Sequence, residues 1–403
     1  MSKILRKTRI VCVSDTHNSS PLNGCYKLPA GDILIHAGDL TNQGTLTELE
    51  KTLNWIEKAD YEVKIVIAGN HDVTLDPGFY ADHALHFHNQ YPQEPEDCIR
   101  RLKGSRSVTY LNHESKYIRL TNPEGPRTHF KVFGSPYSPE RGLWAFGYPP
   151  EKAIELWDQI PLDTDIVITH TPPKYHCDES KSQGATGCEV LRQCLWRVRP
   201  RLAVCGHIHE GRGVERVRWD LTSLNVKFKE SDIWYWKDPG MNNKKDSVIQ
   251  LGVKGVNPLD NDGSDGAQTS AAVLPTSSLT VPQGGSSPAL QSGGELSSRI
   301  DIQPPIGTQD SLTRFDGTSF SAPAGIAETT PRHDSTSATR GQGGVLPSGR
   351  CDSAALTKRM GRKETCVVNA AIMASSWPHK ASGGRRYNKP IVVEIDLPVW
   401  DIV

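Results

Sequence analysis

Five short apolar runs, each followed at once by a polar motif, constrain the fold of this sequence more than any other feature. The runs are rich in Ile, Val, Leu, Ala and Cys and occupy residues 10–13, 32–35, 64–67, 165–168 and 202–205. Continuous apolar runs of this length are typical of strands that are buried on both faces. Between the second and third runs, Leu and Ile recur at helical spacing over residues 46–56, and Thr45 and Glu48 have the spacing of a capping box. This alternation predicts an α/β fold in which helices cover a sheet.

The polar motifs follow the predicted strands at the points where the strands end. They read Ser14-Asp15-Thr16-His17, His36-Ala37-Gly38-Asp39, Gly69-Asn70-His71-Asp72, Thr169-His170-Thr171-Pro172-Pro173 and Gly206-His207-Ile208-His209. In open α/β sheets, ligands bind where loops leave the carboxyl ends of the strands, so we expect these five loops to converge on one point. Each motif by itself is common, but the five in this order indicate a functional site.

The residue types in these motifs suit a pair of divalent metal ions. Asp, Asn and His side chains favour octahedral Mn, Fe and related ions, and the lack of Cys ligands argues against a structural zinc site. A bridging carboxylate can hold two ions about 3.5–4 Å apart, where they polarise a phosphate ester and generate a hydroxide. The motifs therefore predict a dinuclear centre that hydrolyses phosphate esters.

The complete set of motifs resembles that of the calcineurin-like metallophosphoesterases. The resemblance implies a β-sandwich of two mixed sheets flanked by helices. It implies that one metal ion is held by Asp15, His17, Asp39 and His209, and that a second is held by Asp39, Asn70, His170 and His207, with Asp39 bridging. It also makes His71 the general acid that contacts phosphate and protonates the leaving oxygen, with a metal-bridging hydroxide as the nucleophile.

A narrower resemblance is carried by longer segments between about residues 9 and 220. The segments 11–17, 31–36, 61–71, 198–202 and 206–211 are similar to the metallophosphoesterase-domain-containing (239AB-like) subfamily, and the similarity resumes at 369–370 and 389–398. This resemblance implies a phosphodiesterase of small diesters, cyclic nucleotides included. The implied cofactors are two divalent ions, namely Mn²⁺, with Fe or Zn as alternatives.

Two positions depart from the pattern of the family. Thr171 follows His170 where relatives usually have Gly, and Asn42 lies three residues after Asp39, where related enzymes often carry a carboxylate that orients the catalytic histidine. Because an amide orients an imidazole less strongly than a charged carboxylate does, the sequence predicts modest turnover. Both histidines of the last motif are present, which favours an active enzyme.

The composition changes twice along the chain. Residues 1–235 carry the strand and helix patterns of the phosphoesterase domain, whereas residues 240–360 are dominated by Gly, Ser, Thr, Pro, Asp and Gln. Such a stretch has too little apolar surface to offset the entropy of ordering the chain, so we expect a disordered insertion. Apolar runs return at 365–372 and 390–395, which predicts that residues 361–403 supply strands that complete the domain. An unrelated tail with two chance apolar runs is the alternative.

Charge and cysteine usage limit which partners this protein is expected to have and in which cell compartment it is expected to lie. The 46 basic and 46 acidic side chains give a net charge of +0, so no field attracts a polyanion and we expect no stable nucleic-acid partner. The nine Cys show no CxxC spacing, and the N-terminus has no signal-peptide pattern. No apolar run is long enough to span a bilayer. We therefore expect a cytoplasmic protein, with a nuclear location also open, that acts on a small-molecule phosphate ester and binds no membrane.

Three other functions compete with a phosphodiesterase. Protein Ser/Thr phosphatases carry Gly-Asp-x-x-Asp-Arg-Gly, whereas residues 38–44 read Gly-Asp-Leu-Thr-Asn-Gln-Gly. A DNA nuclease is disfavoured by the neutral charge and by the lack of a basic, aromatic platform. A weakly active or non-catalytic scaffold that binds partners through the insertion conflicts with seven coordinating side chains, which would be costly to keep buried without an ion.

Each of two features near the motifs has two possible interpretations. Arg212, three residues after His209, either contacts substrate phosphate or forms a surface salt bridge. Four aromatic residues either form a wall for a base or aryl group or pack within their own loop: Tyr137, Trp144, Phe146 and Tyr148.

Overall fold

The computed structural model of the protein describes residues 4–181, 183–223, 228–255, 258–261, 361–374 and 385–400, all of which belong to one folded unit. Most of the predicted insertion, residues 262–360, lies outside the described residues, so its disorder stays a prediction. In the described part of the chain, no helix combines the length and the apolar character needed to cross a membrane.

Strands and helices alternate over residues 5–103 and 153–205, as expected, whereas the described residues of 109–148, 213–250 and 364–398 form strands with no α-helix between them. The strands are β1 (Leu5–Val13), β2 (Ile33–Ala37), β3 (Val63–Ile67), β4 (Thr109–Tyr110), β5 (Glu114–Arg119), β6 (His129–Ser135), β7 (Ser138–Pro139), β8 (Gly147–Tyr148), β9 (Ile166–Thr169), β10 (Glu179–Ser180), β11 (Gly184–Ala185), β12 (Leu202–Cys205), β13 (Gly213–Trp219), β14 (Glu230–Tyr235), β15 (Ser247–Gln250), β16 (Glu364–Asn369) and β17 (Ile391–Pro398). The helices are α1 (Leu46–Lys58), α2 (Pro77–His88), α3 (Pro95–Lys103), α4 (Ala153–Trp157) and α5 (Glu189–Val198), with short 3-10 helices at Pro21–Asn23, Val73–Leu75, Pro150–Lys152 and His209–Gly211.

The strands form two large mixed sheets. The first sheet has the order β15-β17-β1-β2-β3-β4, and the second has the order β14-β13-β16-β12-β9-β6-β5. Strands β1 to β4 run parallel in the first sheet, where β17 is antiparallel to β1. Strands β6, β9, β12 and β16 run parallel in the second sheet, and β5 and β13 pair antiparallel at its two sides. The predicted pair of mixed sheets is therefore confirmed.

Alternate residues of the central strands face two different cores. Ile10 and Cys12 of β1 pack in the core that both sheets share, whereas Val11 and Val13 pack against the layer of α1, α2 and α3. On the second sheet, alternate residues such as Val367 of β16 pack against α4 and α5. The continuous apolar runs follow from this arrangement, because a strand covered on both faces buries every side chain. The architecture is a β-sandwich flanked by helices.

The first helix begins at the capping box that its sequence predicts. The Thr45 hydroxyl accepts a hydrogen bond from the Glu48 amide at 3.2 Å, and the Glu48 carboxylate accepts one from the Thr45 amide at 3.3 Å. The same carboxylate accepts hydrogen bonds from the backbone amide of Asn42 at 3.3 Å and from its side-chain amide at 2.7 Å. The start of α1 therefore holds the loop that follows β2, where part of the functional site lies.

The two C-terminal strands occupy interior positions in the sheets. Strand β16 lies between β13 and β12, and β17 lies between β15 and β1. Residues Ile391–Pro398 pair with Leu5–Cys12 along nearly the whole length of β1. The alternative of an unrelated tail is therefore wrong for these strands, since each sheet would lose a central member without them.

The predicted start of the insertion at residue 240 is wrong for the segment before residue 262. Residues 240–255 and 258–261 are described, and Ser247–Gln250 form β15, which pairs parallel with β17. Only Val248 and Ile249 are apolar in this strand. Two apolar residues are too few to predict a strand from sequence, and it is the distant β17 that provides the hydrogen-bonding partner.

Candidate metal centre

The five polar motifs converge at the carboxyl ends of strands from both sheets. Asp15 and His17 follow β1, Asp39 follows β2 and Asn70 follows β3, all in the first sheet. The other three histidines, His170, His207 and His209, follow β9 and β12 of the second sheet. Ligand atoms of three groups lie within 4.8 Å of one another: Asp15, His17 and His209; His17, Asp39 and His71; and Asp15, Asp39 and His170. Asn70 Oδ1 joins this cluster through His170 and His207, at 2.9 and 2.8 Å from their ring nitrogens, so all seven predicted metal ligands lie in one place, while their roles as ligands stay a prediction.

The backbone at this point is held in an uncommon conformation. Four of the predicted ligands have positive φ angles: Asp15 at 53°, His17 at 42°, Asp39 at 54° and His207 at 66°. Residues in this region of conformational space cost free energy that the surrounding structure must offset, and they cluster at functional sites. Two glycines make the close approach possible. A Cβ at Gly69 would lie 2.3 Å from Asp39 Oδ1, and one at Gly206 would lie 2.2 Å from Asp15 Oδ2.

Asp72, the last residue of the third motif, ties the loops after β2 and β3 together. Its carboxylate accepts hydrogen bonds from the amides of Gly69 at 2.8 Å, Leu40 at 3.1 Å and Thr41 at 2.9 Å, and from the Thr41 hydroxyl at 2.7 Å. Burial and the nearby charge of Asp39 raise the pKa of Asp72 to about 6. Asp72 therefore positions the loops that carry Asp39 and Asn70, a role that the spacing of the motif did not reveal.

One half of the site joins the loops after β1, β2 and β12. The Nε2 atoms of His17 and His209 face each other at 3.2 Å. Asp15 Oδ1 lies 3.4 Å from Nε2 of His209, and Asp39 Oδ2 lies 3.7 Å from Nε2 of His17. Asp15 is fully buried, and its carboxylate accepts a hydrogen bond from the His207 amide at 3.0 Å. The donor atoms of these four side chains therefore surround one small volume.

The other half shares Asp39 with the first. Asp39 Oδ1 lies 3.3 Å from Nε2 of His170. Asn70 Oδ1 lies 2.9 Å from the same nitrogen and 2.8 Å from Nδ1 of His207. The two oxygens of Asp39 thus point to different groups of ligand atoms. This is the placement that a bridging carboxylate requires.

The residues fit the pair of divalent ions that the motifs predict. The Nδ1 atom of His170 lies 2.9 Å from the Ala37 carbonyl oxygen. Because a carbonyl only accepts, Nδ1 must carry the proton, and Nε2 is the ring atom that faces Asp39 and Asn70. Such a second hydrogen bond is the usual way in which proteins orient a metal-ligating histidine. Two buried carboxylates so close together also require compensating positive charge. The nitrogen and oxygen donors suit Mn²⁺ or Fe, and no thiolate is among them.

Electrostatics keep most of these side chains in the protonation states that metal binding needs. Burial by itself would raise the pKa of Asp15, but the hydrogen bond and charge of His209 lower it to about 2. Burial lowers the pKa of His17 and of His207 to about 3, so both imidazoles are neutral at physiological pH. Burial also opposes a charge on His170, but the Asp39 carboxylate outweighs it and raises the pKa of His170 to about 9. The negative charge of Asp39 can therefore be balanced either by the His170 imidazolium or by a bound cation.

His71 is oriented by a backbone carbonyl. Its Nδ1 atom lies 2.8 Å from the Asn42 carbonyl oxygen, so Nδ1 donates a proton and Nε2 remains available. The Asn42 side chain instead donates to Glu48 at 2.7 Å. The expectation that the side chain at position 42 orients the histidine is therefore wrong, since any residue at that position provides a carbonyl. A nitrogen of His71 also lies within 4.8 Å of ligand atoms of His17 and Asp39, so geometry places it beside the cluster.

A cavity of about 360 Å³ opens over the cluster and includes Asp39, Asn70, His71, His207 and His209 in its lining. Of the four aromatic residues considered above, Trp144 alone lines it, stacked 4.0 Å from His71 between ring centroids, whereas Phe146 and Tyr148 are buried in the packed loops. Arg141 also lines the cavity and donates to Gln183 at 2.7 Å. Sequence reasoning missed Arg141, because a single arginine in a polar loop carries no recognisable pattern.

Arg212 does not line this cavity. Its guanidinium forms an ion pair with Asp238 at 3.0 Å and donates to the Lys389 carbonyl oxygen at 2.8 Å. The side chains of Arg212 and Asp238 are 11% and 7% exposed. The alternative of a salt bridge therefore applies, although this ion pair is buried and not on the surface, and the contact of Arg212 with substrate stays a prediction.

Comparisons with known proteins agree with this geometry. The family model of the calcineurin-like phosphoesterases matches residues 8–211. Metallophosphoesterase domain-containing protein 1 of Homo sapiens and that of Mus musculus are each 40% identical over 211 residues, which is 51% of this chain and 62% of each relative. A probable rhamnogalacturonate lyase C of Emericella nidulans is 46% identical over 215 residues, which is 53% of this chain and 18% of that protein. The chain thus spans less than two thirds of each of these relatives.

Proposed function

Since this chain belongs to the calcineurin-like phosphoesterase family, we propose that it is a phosphoric ester hydrolase that depends on two divalent ions and acts on small phosphodiesters such as cyclic nucleotides. The observation that carries the proposal is the position of Asp39, whose two carboxylate oxygens lie beside two separate groups of ligand atoms. A metal-bridging carboxylate of this kind is the central feature of two-metal hydrolases.

Each proposed ion has four protein ligands. Asp15, His17, Asp39 and His209 would hold the first ion, and Asp39, Asn70, His170 and His207 would hold the second. When bound, such ions polarise a phosphate ester and lower the pKa of a water molecule so that it can act as a nucleophile at neutral pH. We propose Mn²⁺ as the native ion, because the donors are imidazole nitrogens with carboxylate and amide oxygens.

His71 would deliver a proton to the leaving oxygen. Its Nδ1 proton is donated to the Asn42 carbonyl, which fixes the ring and leaves Nε2 as the atom that exchanges a proton with substrate. Trp144 stacks against the same ring and limits its rotation. A positioned general acid contributes about a hundred- to ten-thousand-fold to a rate. The contribution depends on the leaving group, because an alkoxide needs a proton far more than a nitrophenolate does.

The charge around the cavity favours diesters over monoesters. Apart from the ligand cluster and His71, the charged side chains that line it within the described part of the chain are Arg141 and Glu210, and an adjoining cavity that shares His71, Trp144 and His209 adds Arg385. A monoester is a dianion near neutral pH, whereas a diester carries one negative charge. One net positive charge beside the metal centre matches the single negative charge of a diester, whereas a dianion would need a second cation. This balance supports a phosphodiesterase.

The proposal is tested by turnover of the full chain after metal reconstitution. The substrates are p-nitrophenyl phosphate, bis(p-nitrophenyl) phosphate, and 2′,3′- and 3′,5′-cyclic nucleotides, each with Mn²⁺, Fe²⁺, Zn²⁺ or EDTA. We expect two ions per chain, loss of activity in EDTA, and faster turnover of diesters than of the monoester. Faster turnover of the monoester would contradict the diester assignment. A chain that binds metal poorly and hydrolyses none of these esters would favour a scaffold of the same fold.

A further inference from the structure

A second cavity lies on another part of the molecule, beside the edge strands β14 and β15. Its volume is about 830 Å³, and it shares no lining residue with the cavity over the ligand cluster. Its lining includes two tryptophans and three lysines: Trp234, Trp236, Lys237, Lys244 and Lys245. We call it the lysine–tryptophan cavity. Its volume falls within the range of about 300–1,000 Å³ that is usual for small-molecule sites.

The two tryptophans form one wall of the lysine–tryptophan cavity. Trp234 belongs to β14 and Trp236 follows the last residue of that strand, so the two side chains, two residues apart in extended backbone, lie on the same face. Trp236 is half-buried against the core that the two sheets share, and its amide continues the pairing of β14 with β13 through a 3.0 Å bond to the Val214 carbonyl. Trp234 is 39% exposed. A fixed indole that keeps part of its ring open to solvent is a ready platform for a planar aromatic group.

The lysines give the cavity an excess of positive charge. The two arginines that line it have carboxylate partners, Arg9 with Glu394 at 2.8 Å and Arg216 with Glu364 at 2.6 Å. In contrast, no carboxylate of the described residues lies within 4.0 Å of the ammonium groups of the three lysines. Asp246 is the one acidic side chain of the lining, and it lies 3.6 Å from Arg9. This excess stands out in a chain whose total charge is +0.

The loop that carries the lysines is anchored at both ends. Asp238 is held by the buried ion pair with Arg212 and by a 2.9 Å hydrogen bond from the Ser247 hydroxyl. The Lys389 ammonium donates to three carbonyl oxygens of the same loop, at 2.9 Å to Gly240, 2.5 Å to Asn243 and 2.7 Å to Lys245. A loop held in this way presents its side chains without a large loss of entropy on binding. Arg212 thus acts as a positioning residue for this loop.

We propose that the lysine–tryptophan cavity binds a small aromatic phosphate, a nucleoside phosphate being the representative case. The planar ring stacks on Trp234, and the phosphate lies between the ammonium groups of Lys237, Lys244 and Lys245. Stacking and charge each contribute a part of the affinity, so a ligand needs both groups to bind well. This site is separate from the metal centre and does not depend on the hydrolytic activity proposed above.

Isothermal titration calorimetry of the full chain with adenosine 5′-monophosphate tests the site. The buffer contains EDTA, so that the phosphate cannot bind through metal ions in the other cavity. We expect saturable binding that weakens with added salt, and at least about tenfold weaker binding of adenosine alone and of inorganic phosphate alone, because stacking on an aromatic ring is worth about five- to a hundredfold in affinity. Absence of saturable binding at millimolar concentrations would overturn the proposal, as would inorganic phosphate or a single-stranded oligonucleotide binding as tightly as the nucleotide.

Three variants locate the bound nucleotide. Trp234→Ala and Lys244→Glu each weaken binding about five- to a hundredfold, and both change exposed side chains, so circular dichroism should show an unchanged fold. Trp144→Ala, in the cavity over the ligand cluster, is the matched control and leaves the affinity unchanged. If Trp144→Ala weakens binding and Trp234→Ala does not, the nucleotide binds at the metal centre and the proposal is wrong. Trp234→Ala and Lys244→Glu should also hydrolyse bis(p-nitrophenyl) phosphate as fast as the unaltered protein, a readout that is independent of nucleotide binding.

Discussion

The metal centre and the lysine–tryptophan cavity are built in different ways. The candidate metal centre collects Asp, Asn and His from five loops, buries five of the seven side chains, and holds four of the seven residues at positive φ. The lysine–tryptophan cavity takes its tryptophans and lysines from residues 234–245, leaves most of them exposed, and relies on Arg212 and Lys389 to hold the loop. Metal coordination restricts both the residue type and the backbone, whereas stacking and charge attraction tolerate many arrangements.

The same contrast predicts how strongly single substitutions should affect each region. A change in the metal centre leaves buried charges without partners, so single substitutions should have large effects. A change in the lysine–tryptophan cavity removes one of several additive contacts from an exposed surface. Single substitutions there should therefore lower the affinity for the ligand only moderately. Five measurements would test this difference between the two regions, and the largest effect is expected for a substitution of Asp39.

Asp39→Asn should reduce hydrolysis of bis(p-nitrophenyl) phosphate by at least about a thousandfold, because the variant loses the carboxylate that is placed to bridge both ions. Metal analysis should show one ion per chain or none. Asp232→Asn, which changes an exposed side chain of β14, is the matched control and should keep full activity and two ions. An Asp39→Asn protein with two metals and full activity would remove the basis of the proposed function.

His71→Ala should keep both metals and lose about a hundred- to ten-thousandfold in the hydrolysis of a cyclic nucleotide. The loss on bis(p-nitrophenyl) phosphate should be smaller, because nitrophenolate leaves readily without a proton. Equal losses on both substrates would mean that His71 positions phosphate and does not protonate the leaving group. A large fall in bound metal would make His71 a ligand, which its distance from His17 and Asp39 permits.

Arg212→Ala should lower the free energy of unfolding by about 3–5 kcal/mol, because it leaves the Asp238 carboxylate buried without its cation. Chemical denaturation measures this change. The double variant Arg212→Ala with Asp238→Ala should be less destabilised than the sum of the two single variants, since the unpaired charge is then gone. Per folded molecule, the rate of hydrolysis by Arg212→Ala should be unchanged. A large rise in KM would show instead that Arg212 contacts the substrate.

Removal of the metals should destabilise the protein while leaving the lysine–tryptophan cavity intact. An ion present at about a hundred times its Kd stabilises the native state by about 2.7 kcal/mol. For a domain of this size, that corresponds to a fall in Tm of about 5–10 °C in EDTA. Differential scanning calorimetry with and without Mn²⁺ measures the shift. The affinity for adenosine 5′-monophosphate, measured at 25 °C, should be the same for the EDTA-treated and the Asp39→Asn proteins, and a difference would show that the two regions are coupled.

Asn42→Ala should change the turnover of either ester by less than about threefold, the range expected of a surface substitution. The reason is that the backbone carbonyl at position 42, which the variant retains, orients His71. Single-turnover kinetics with bis(p-nitrophenyl) phosphate and a cyclic nucleotide check this expectation. A large loss confined to the cyclic nucleotide would show that the Asn42 side chain contributes to proton transfer after all.

Much of the architecture was predictable because its causes are local. The run at residues 10–13 predicts a strand buried on both faces, and the structure places its alternate side chains in two cores. Thr45 and Glu48 predict the start of α1, because a capping box needs only residues that are adjacent along the helix. Strand β15 was missed for the opposite reason, since its hydrogen bonds come from β17, which lies more than a hundred residues further along the chain.

The residue types of the candidate metal centre follow from the sequence alone, since few side chains coordinate divalent ions and their order after the strands restricts where they meet. Tertiary structure decided which partner each side chain has. Only the fold shows that Arg212 pairs with Asp238 and lies outside the catalytic cavity, that the carbonyl of Asn42 holds His71, and that Trp234 and Lys244 line one cavity. Arginine, lysine, tryptophan and backbone carbonyls accept many partners, so their roles follow from distances that no local pattern encodes.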